Sequence, residues 1–168
     1  MFANKYGGIN ASLTSEGRSS VAGWALGDAS SPGKIWFGFA TEPVADFSSE
    51  ETLYEVPKIW MKSSEAFGRP DITVSTGYVR QEYEFSSAYT QADDPAWKRS
   101  SSGVYTNTKQ ITWDPATGEW PTVNAWFISV SPSGGPYIST GPTTFDVAEG
   151  DVVIIGEGAI NFTVAKML

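Results

Sequence analysis

Two carboxylates stand closest to a catalytic spacing in this chain. Glu82 and Glu84 lie two apart in the run Gly77–Phe85 (GYVRQEYEF), so on an extended strand both project to one face. A carboxylate pair flanking a sugar bond is the machinery of glycoside hydrolysis. The more common meaning of the same spacing is the wet face of a strand, here with Arg80 beside the acids as a partial neutraliser. Asp93 and Asp94 could hold a hard cation with help from backbone carbonyls, but they precede Pro95 as turn residues do, and no calcium-loop spacing surrounds them. Asp146, Glu149 and Asp151 cluster about Gly150, which reads as a calcium clip or, more simply, as a tight turn.

The rest of the chemical inventory is thin. The chain has no histidine and no cysteine. That removes the commonest general base, thiolate metal sites, disulfides and the usual serine or cysteine nucleophile pairings. Gly134-Gly135-Pro136 and Gly156-Glu157-Gly158 match neither phosphate-binding glycine pattern, and no serine sits in a nucleophile elbow. No cofactor and no metal is implied. Aromatic side chains are the remaining candidates. Trp36, Trp113 and Trp126 lie inside strand-like runs and read as core. Trp60, Trp97 and Trp120 lie near turns or polar runs, and are the candidate protein-contact residues, or sugar-stacking platforms.

The elements that would position these residues follow antiparallel sheet grammar. Lys34–Ala40 (KIWFGFA) alternates Ile35, Phe37 and Phe39 on one face. In Gly77–Phe85, alternation puts Val79, Tyr83 and Phe85 inside and Arg80, Glu82 and Glu84 outside. Gly103–Val164 organises the fold, with strands expected at Lys109–Trp113, Val123–Val130, Tyr137–Thr140, Val152–Ile155 and Ala159–Val164. Asp114–Gly118, Ser131–Pro136, Gly141-Pro142, Glu149–Asp151 and Gly156–Gly158 punctuate them. Residues 1–33 read as an N-terminal arm or loosely docked segment, with Ser15–Ser20 as turn material and Ala22–Leu26 as a short helical turn or strand. Residues 34–168 then form the sandwich domain, with a long excursion at 44–76 that includes a helix start at Ser48–Glu51. The expected fold is all-β: an antiparallel, jelly-roll-like β-sandwich with little helix.

Charge narrows the partners. A net charge of −8 with no basic cluster argues against nucleic-acid binding. No apolar run approaches membrane-spanning length, and residues 1–8 lack the apolar core of a secretory signal.

Several segments, taken in order, resemble a group of small structural proteins of tailed bacteriophages, labelled tail-fibre-like, minor structural or head decoration proteins. Ile111–Val123 (ITWDPATGEWPTV) is similar to that group's "FPxATGxWGTV" segment. Gly134-Gly135, Gly141–Thr144, Glu149–Val153 and Gly158–Val164 follow in the same order as its later steps. Upstream, Ile35–Pro43 resembles its "VYxALxTxxP" strand and Gly77–Gln81 its "GYxRQ" strand. The resemblance implies a non-enzymatic virion protein made in the host cytoplasm. The leading expectation is a capsid decoration (cement) subunit, a homotrimer bound to the major capsid protein or another virion protein. A tail-fibre, head-fibre or collar anchor is the alternative, and a carbohydrate-binding module a third. The resemblance brings no catalytic residues with it.

Overall fold

A computed structural model of the chain describes residues 9–10, 12–26, 32–43, 54–57, 75–84, 97–99 and 104–163. In chain order the elements are β1 (Ile9–Asn10), β2 (Ser12–Leu13), α1 (Ser15–Leu26), β3 (Lys34–Ala40), β4 (Gln81–Glu84), β5 (Trp97–Arg99), β6 (Val104–Asn107), β7 (Ile111–Thr112), β8 (Val123–Ser129), β9 (Tyr137–Phe145), β10 (Ile154–Ile155) and β11 (Ile160–Thr163). They form a five-stranded sheet ordered β2-β9-β8-β3-β4, a four-stranded sheet ordered β1-β11-β6-β5, and a β7–β10 pair. All the described pairings are antiparallel except β1 with β11. The all-β, antiparallel expectation with little helix holds. Among the described residues, no helix is long and apolar enough to cross a membrane.

One buried cluster joins these layers. The five-stranded sheet contributes Ile35, Phe37, Phe39, Trp126, Ile128 and Ile138; Ile111, Ile155 and Ile160 face them from β7, β10 and β11. Phe39 is its aromatic centre, with ring centroids of Trp113 at 4.8 Å, Phe145 at 5.1 Å and Trp120 at 6.4 Å. Each such pair adds about 1 kcal/mol beyond the area it buries.

Three segments depart from their sequence patterns, each for a local reason. Gly141-Pro142 is no break, because β9 continues through it to Phe145. Gly141 is demanded by close approach: a Cβ there would lie 2.4 Å from the Trp126 indole. Pro142 is tolerated because, among the described residues, β2 pairs with β9 only at Ser139 and Thr140. Helix α1 runs where turn residues were expected. Its start is set by Thr14, whose Oγ1 accepts from the Gly17 N–H while its carbonyl accepts from Arg18 N–H. Finally, β4 begins only at Gln81, and the chain before it turns over: Val79 is 59% exposed and Arg80 is buried. The expected inward Val79 and outward Arg80 are therefore exchanged. The left-handed Gly77 (φ +68°) precedes this irregular stretch, so alternation does not extend upstream of the strand. The helix start at Ser48–Glu51 and most of the 44–76 excursion lie outside the described residues.

Two of the core indoles differ in one respect that can be measured. Trp120 donates its N–H to the Thr76 carbonyl at 3.1 Å, whereas the buried Trp113 N–H has no acceptor among the described residues. Replacing either by Phe removes a similar volume from the same cluster. Trp120→Phe is therefore expected to cost about 1 kcal/mol more than Trp113→Phe. Urea unfolding midpoints at unchanged slope read the difference, and equal midpoints would contradict it.

Candidate functional site

The most elaborate polar site in the described structure surrounds Arg80, which alternation had placed on the wet face. Its guanidinium lies under the β8–β9 loop, with its side chain 2% exposed. Nε and Nη2 donate to Glu55 Oε1 and Oε2, each at 2.7 Å, a two-pronged fork. Nη1 donates to the Ser131 and Gly134 carbonyls at 2.8 and 2.7 Å. The guanidinium carbon sits 4.8 Å from the Phe127 ring centre and 5.7 Å from that of Tyr137. Burial alone would lower the Arg80 pKa; the Glu55 hydrogen bonds and charge outweigh it and raise it, so the cation is permanent.

Tyr78 completes the network. Its hydroxyl accepts from the Phe39 N–H at 2.9 Å and donates to Glu55 Oε1 at 3.1 Å. The geometry repairs a gap in the sheet. β4 pairs with β3 only along Lys34–Phe37. Beyond that point Tyr78 satisfies Phe39, Val56 N–H donates to the Phe39 carbonyl, and Ala40 bridges to Glu55. Gly38 is required there, because a Cβ would lie 2.2 Å from the Phe127 ring and 2.6 Å from the Tyr78 hydroxyl.

Above the clamp, the loop Ser131–Pro136 is held as a fixed shape. Ser129 Oγ donates to the Pro136 carbonyl at 2.9 Å and accepts from Ser131 N–H at 3.1 Å. Ser131 Oγ donates to the Ser133 carbonyl at 2.6 Å. Pro132, Ser133, Gly134, Gly135 and Pro136 are all exposed. The result is an uncharged, solvent-facing loop with a rigid base. Such a surface can dock against another macromolecule at small entropic cost. Because the Arg80 charge is spent on Glu55 and two carbonyls, the clamp is built for positioning.

The residues singled out by sequence fall elsewhere. Glu82 pairs with Lys34 Nζ at 2.7 Å, both side chains about half exposed, and Glu84 stands opposite Lys34 in register. That is a solvated cross-strand face, worth little to stability. Trp120 is in the core, 3% exposed and edge-on to Tyr78, so its indole offers no face to a partner. Trp97 lies in β5 opposite Asn107, and Trp60 lies outside the described residues, as do Asp93 and Asp94. Asp151 accepts from Ala148 N–H at 3.0 Å in a turn where Gly150 has φ +86°, and Asp146 accepts from Thr122 Oγ1 at 2.7 Å. Among the described residues, no group of three or more acidic side chains is placed to hold a metal ion.

Sequence reasoning missed Glu55, Tyr78, Arg80 and Ser129. A signal for two of them was present, since Tyr78 and Arg80 are the Tyr and Arg of the "GYxRQ" segment.

The described residues thus form antiparallel sheets that carry a braced, uncharged loop. The model of a family described as Podophage GP4 fiber I protein gp80 matches residues 62–163, more than half of the chain. The chain belongs to that family, and with it to the virion structural proteins of tailed phages. The matched range holds Arg80, Tyr78 and the braced loop, together with every resemblance segment from Gly77 to Thr163; Ile35–Pro43 precedes it. No curated protein matches the chain.

Two outcomes follow from the clamp. Glu55→Gln leaves a buried cation without its counter-charge and is expected to destabilise the fold by about 3 kcal/mol. Val79→Ser, one residue from Arg80 but on the surface, should stay within about 0.5 kcal/mol of the parent; equal losses in the two variants would refute the clamp. Burial first, and the Glu55 charge second, hold the Tyr78 phenol well above its ordinary pKa near 10. In the unfolded chain this phenol ionises near 10, while in the fold it keeps its proton. Above about pH 10 the unfolded state therefore binds fewer protons, and stability falls as pH rises. Tyr78→Phe should lower stability at neutral pH and flatten the alkaline slope, as followed by urea unfolding from pH 8 to 11.

Proposed function

We propose that this chain is a non-enzymatic subunit of a phage fibre or of its attachment to the particle, working by adhesion to copies of itself and to a neighbouring virion protein. The observation that carries this reading is the family match across residues 62–163, whose description names a fibre protein. The braced loop supports it, because a fixed and uncharged surface suits a permanent contact better than a diffusing substrate. A net charge of −8 keeps free subunits apart from one another and from the genome before assembly. Fibres and their anchors are built on closed rotational symmetry, and a homotrimer is the arrangement we adopt.

Copy number decides between this position and capsid decoration. Quantitative gel analysis of purified virions should give a few dozen copies at most. Hundreds of copies would place the chain on the shell as a cement subunit, and a chain missing from washed particles would reject the virion reading.

A further inference from the structure

The N-terminal elements sit on the body of the protein in an unusual way. β1 adds to the edge of one sheet, parallel to β11, with Ile9 opposite Ile160 and Asn10 opposite Asn161. Two residues later β2 adds to the edge of the other sheet, antiparallel to β9, with Ser12 opposite Thr140 and Leu13 opposite Ser139. A single short segment therefore closes the same side of both sheets. Thr14 then anchors it: its N–H donates to the Ile138 carbonyl at 2.9 Å, and its hydroxyl reaches the Ile138 and Tyr137 carbonyls. Helix α1 lies directly on β9, so close that a Cβ on Gly17 would come within 1.9 Å of the Ile138 oxygen. The seat is thus shaped for this segment in particular.

Residues 27–33 (Gly-Asp-Ala-Ser-Ser-Pro-Gly) lead from α1 to β3, and they contain no large apolar residue. Seven residues of tether reach about 25 Å when extended. β3, where the tether ends, is separated from β9 by β8, so the body the tether joins and the edge the segment covers are distinct places in the sheet.

We propose that in the assembled particle residues 9–26 are an exchanged clip, seated on β9 and β11 of a second copy of this chain. The inference rests on the proposed reading that copies of this chain adhere to one another in the particle. The hydrogen bonds are the same whether the seat belongs to the same chain or to a neighbour, so only the tether distinguishes the two states. Packing copies together raises the local concentration of foreign seats to the millimolar range that a short tether provides for its own. An emptied seat exposes two open sheet edges, which is costly, so exchange has to be mutual or cyclic and closes on itself.

The absence of cysteine makes the test clean. Ser12→Cys and Thr140→Cys place one thiol on each side of the β2–β9 pairing. Full-length chains carrying one substitution each are co-expressed, and oxidised both as concentrated protein and within purified particles. Exchange predicts a disulfide joining the two different chains in particles, seen as a species of twice the chain mass on non-reducing gels. The double variant should give multimers that end at the size of the closed ring. Adding Gly17→Ala to the Ser12→Cys chain should cause loss of the mixed-chain product. A double variant that closes only within its own chain in particles, with mixed single variants remaining monomeric, overturns the exchange and leaves the virion reading standing. A double variant that forms no disulfide overturns the seat itself. Chains absent from the particles overturn the reading on which the exchange rests.

Discussion

A guanidinium cannot be left buried without acceptors, and much of this structure answers that requirement. Arg80 needs oxygen on every side, and it draws it from two places far apart in the chain: the carboxylate of Glu55, and the carbonyls of Ser131 and Gly134 in one loop. Desolvating such a group costs several kcal/mol, which only near-complete hydrogen bonding offsets. Once the cation is fixed, other features become obligatory. Glu55 has to lie alongside β3, and in doing so the Tyr54–Pro57 segment covers the part of β3 that β4 leaves open. The Tyr78 hydroxyl has to donate to the same carboxylate. The β8–β9 loop has to present two carbonyls downward, which leaves its prolines, glycines and Ser133 facing solvent.

The strands of this protein were legible where a run of apolar, β-favouring residues is punctuated at both ends. Lys34–Ala40 and Val123–Ser129 are such cases. Alternation failed at Val79 and Arg80 because it assumes an extended backbone, and the chain there is not yet in its strand. The sequence reading failed at Gly141-Pro142 because glycine and proline signal a turn by themselves, while here one makes room for Trp126 and the other lies beyond the described β2 pairing. The helix was hidden by its glycines and serines; the only local clue was Thr14 ahead of Ser15 and Glu16. Trp120 was misjudged because proximity to a turn in sequence says nothing about which way a side chain points.

The resemblance segments carry more structural content than their individual residues suggest. Gly77–Gln81, with Ser75 and Thr76 just before it, and Asp114–Trp120 lie some way apart in sequence, yet they form one interlock. Thr117 N–H donates to the Thr76 carbonyl at 3.1 Å, and the Trp120 indole donates to that same oxygen. A Cβ on Gly118 would meet the Ser75 oxygen at 2.3 Å, and one on Gly77 would meet Thr117 Oγ1 at 2.8 Å. Gly118 lets two backbones touch, and Gly77, at positive φ, leaves room for the Thr117 side chain. The pattern is thus a description of packing. What remained unreadable was the partner of the buried charge. Glu55 sits in a stretch with no periodic signature, and nothing in its neighbours announces an ion pair.

The parallel register of β1 with β11 has a mechanical side. Strands that run in the same direction, pulled from the upstream end of one and the downstream end of the other, are loaded in shear: the bonds between them share the tension and do not peel away singly. Pulling the chain before Ile9 against the chain after Thr163 loads the Ile9–Ile160 and Asn10–Asn161 pairs in this way. If those two strands come from different subunits, a tug on the particle is carried from one polypeptide to the next across that joint.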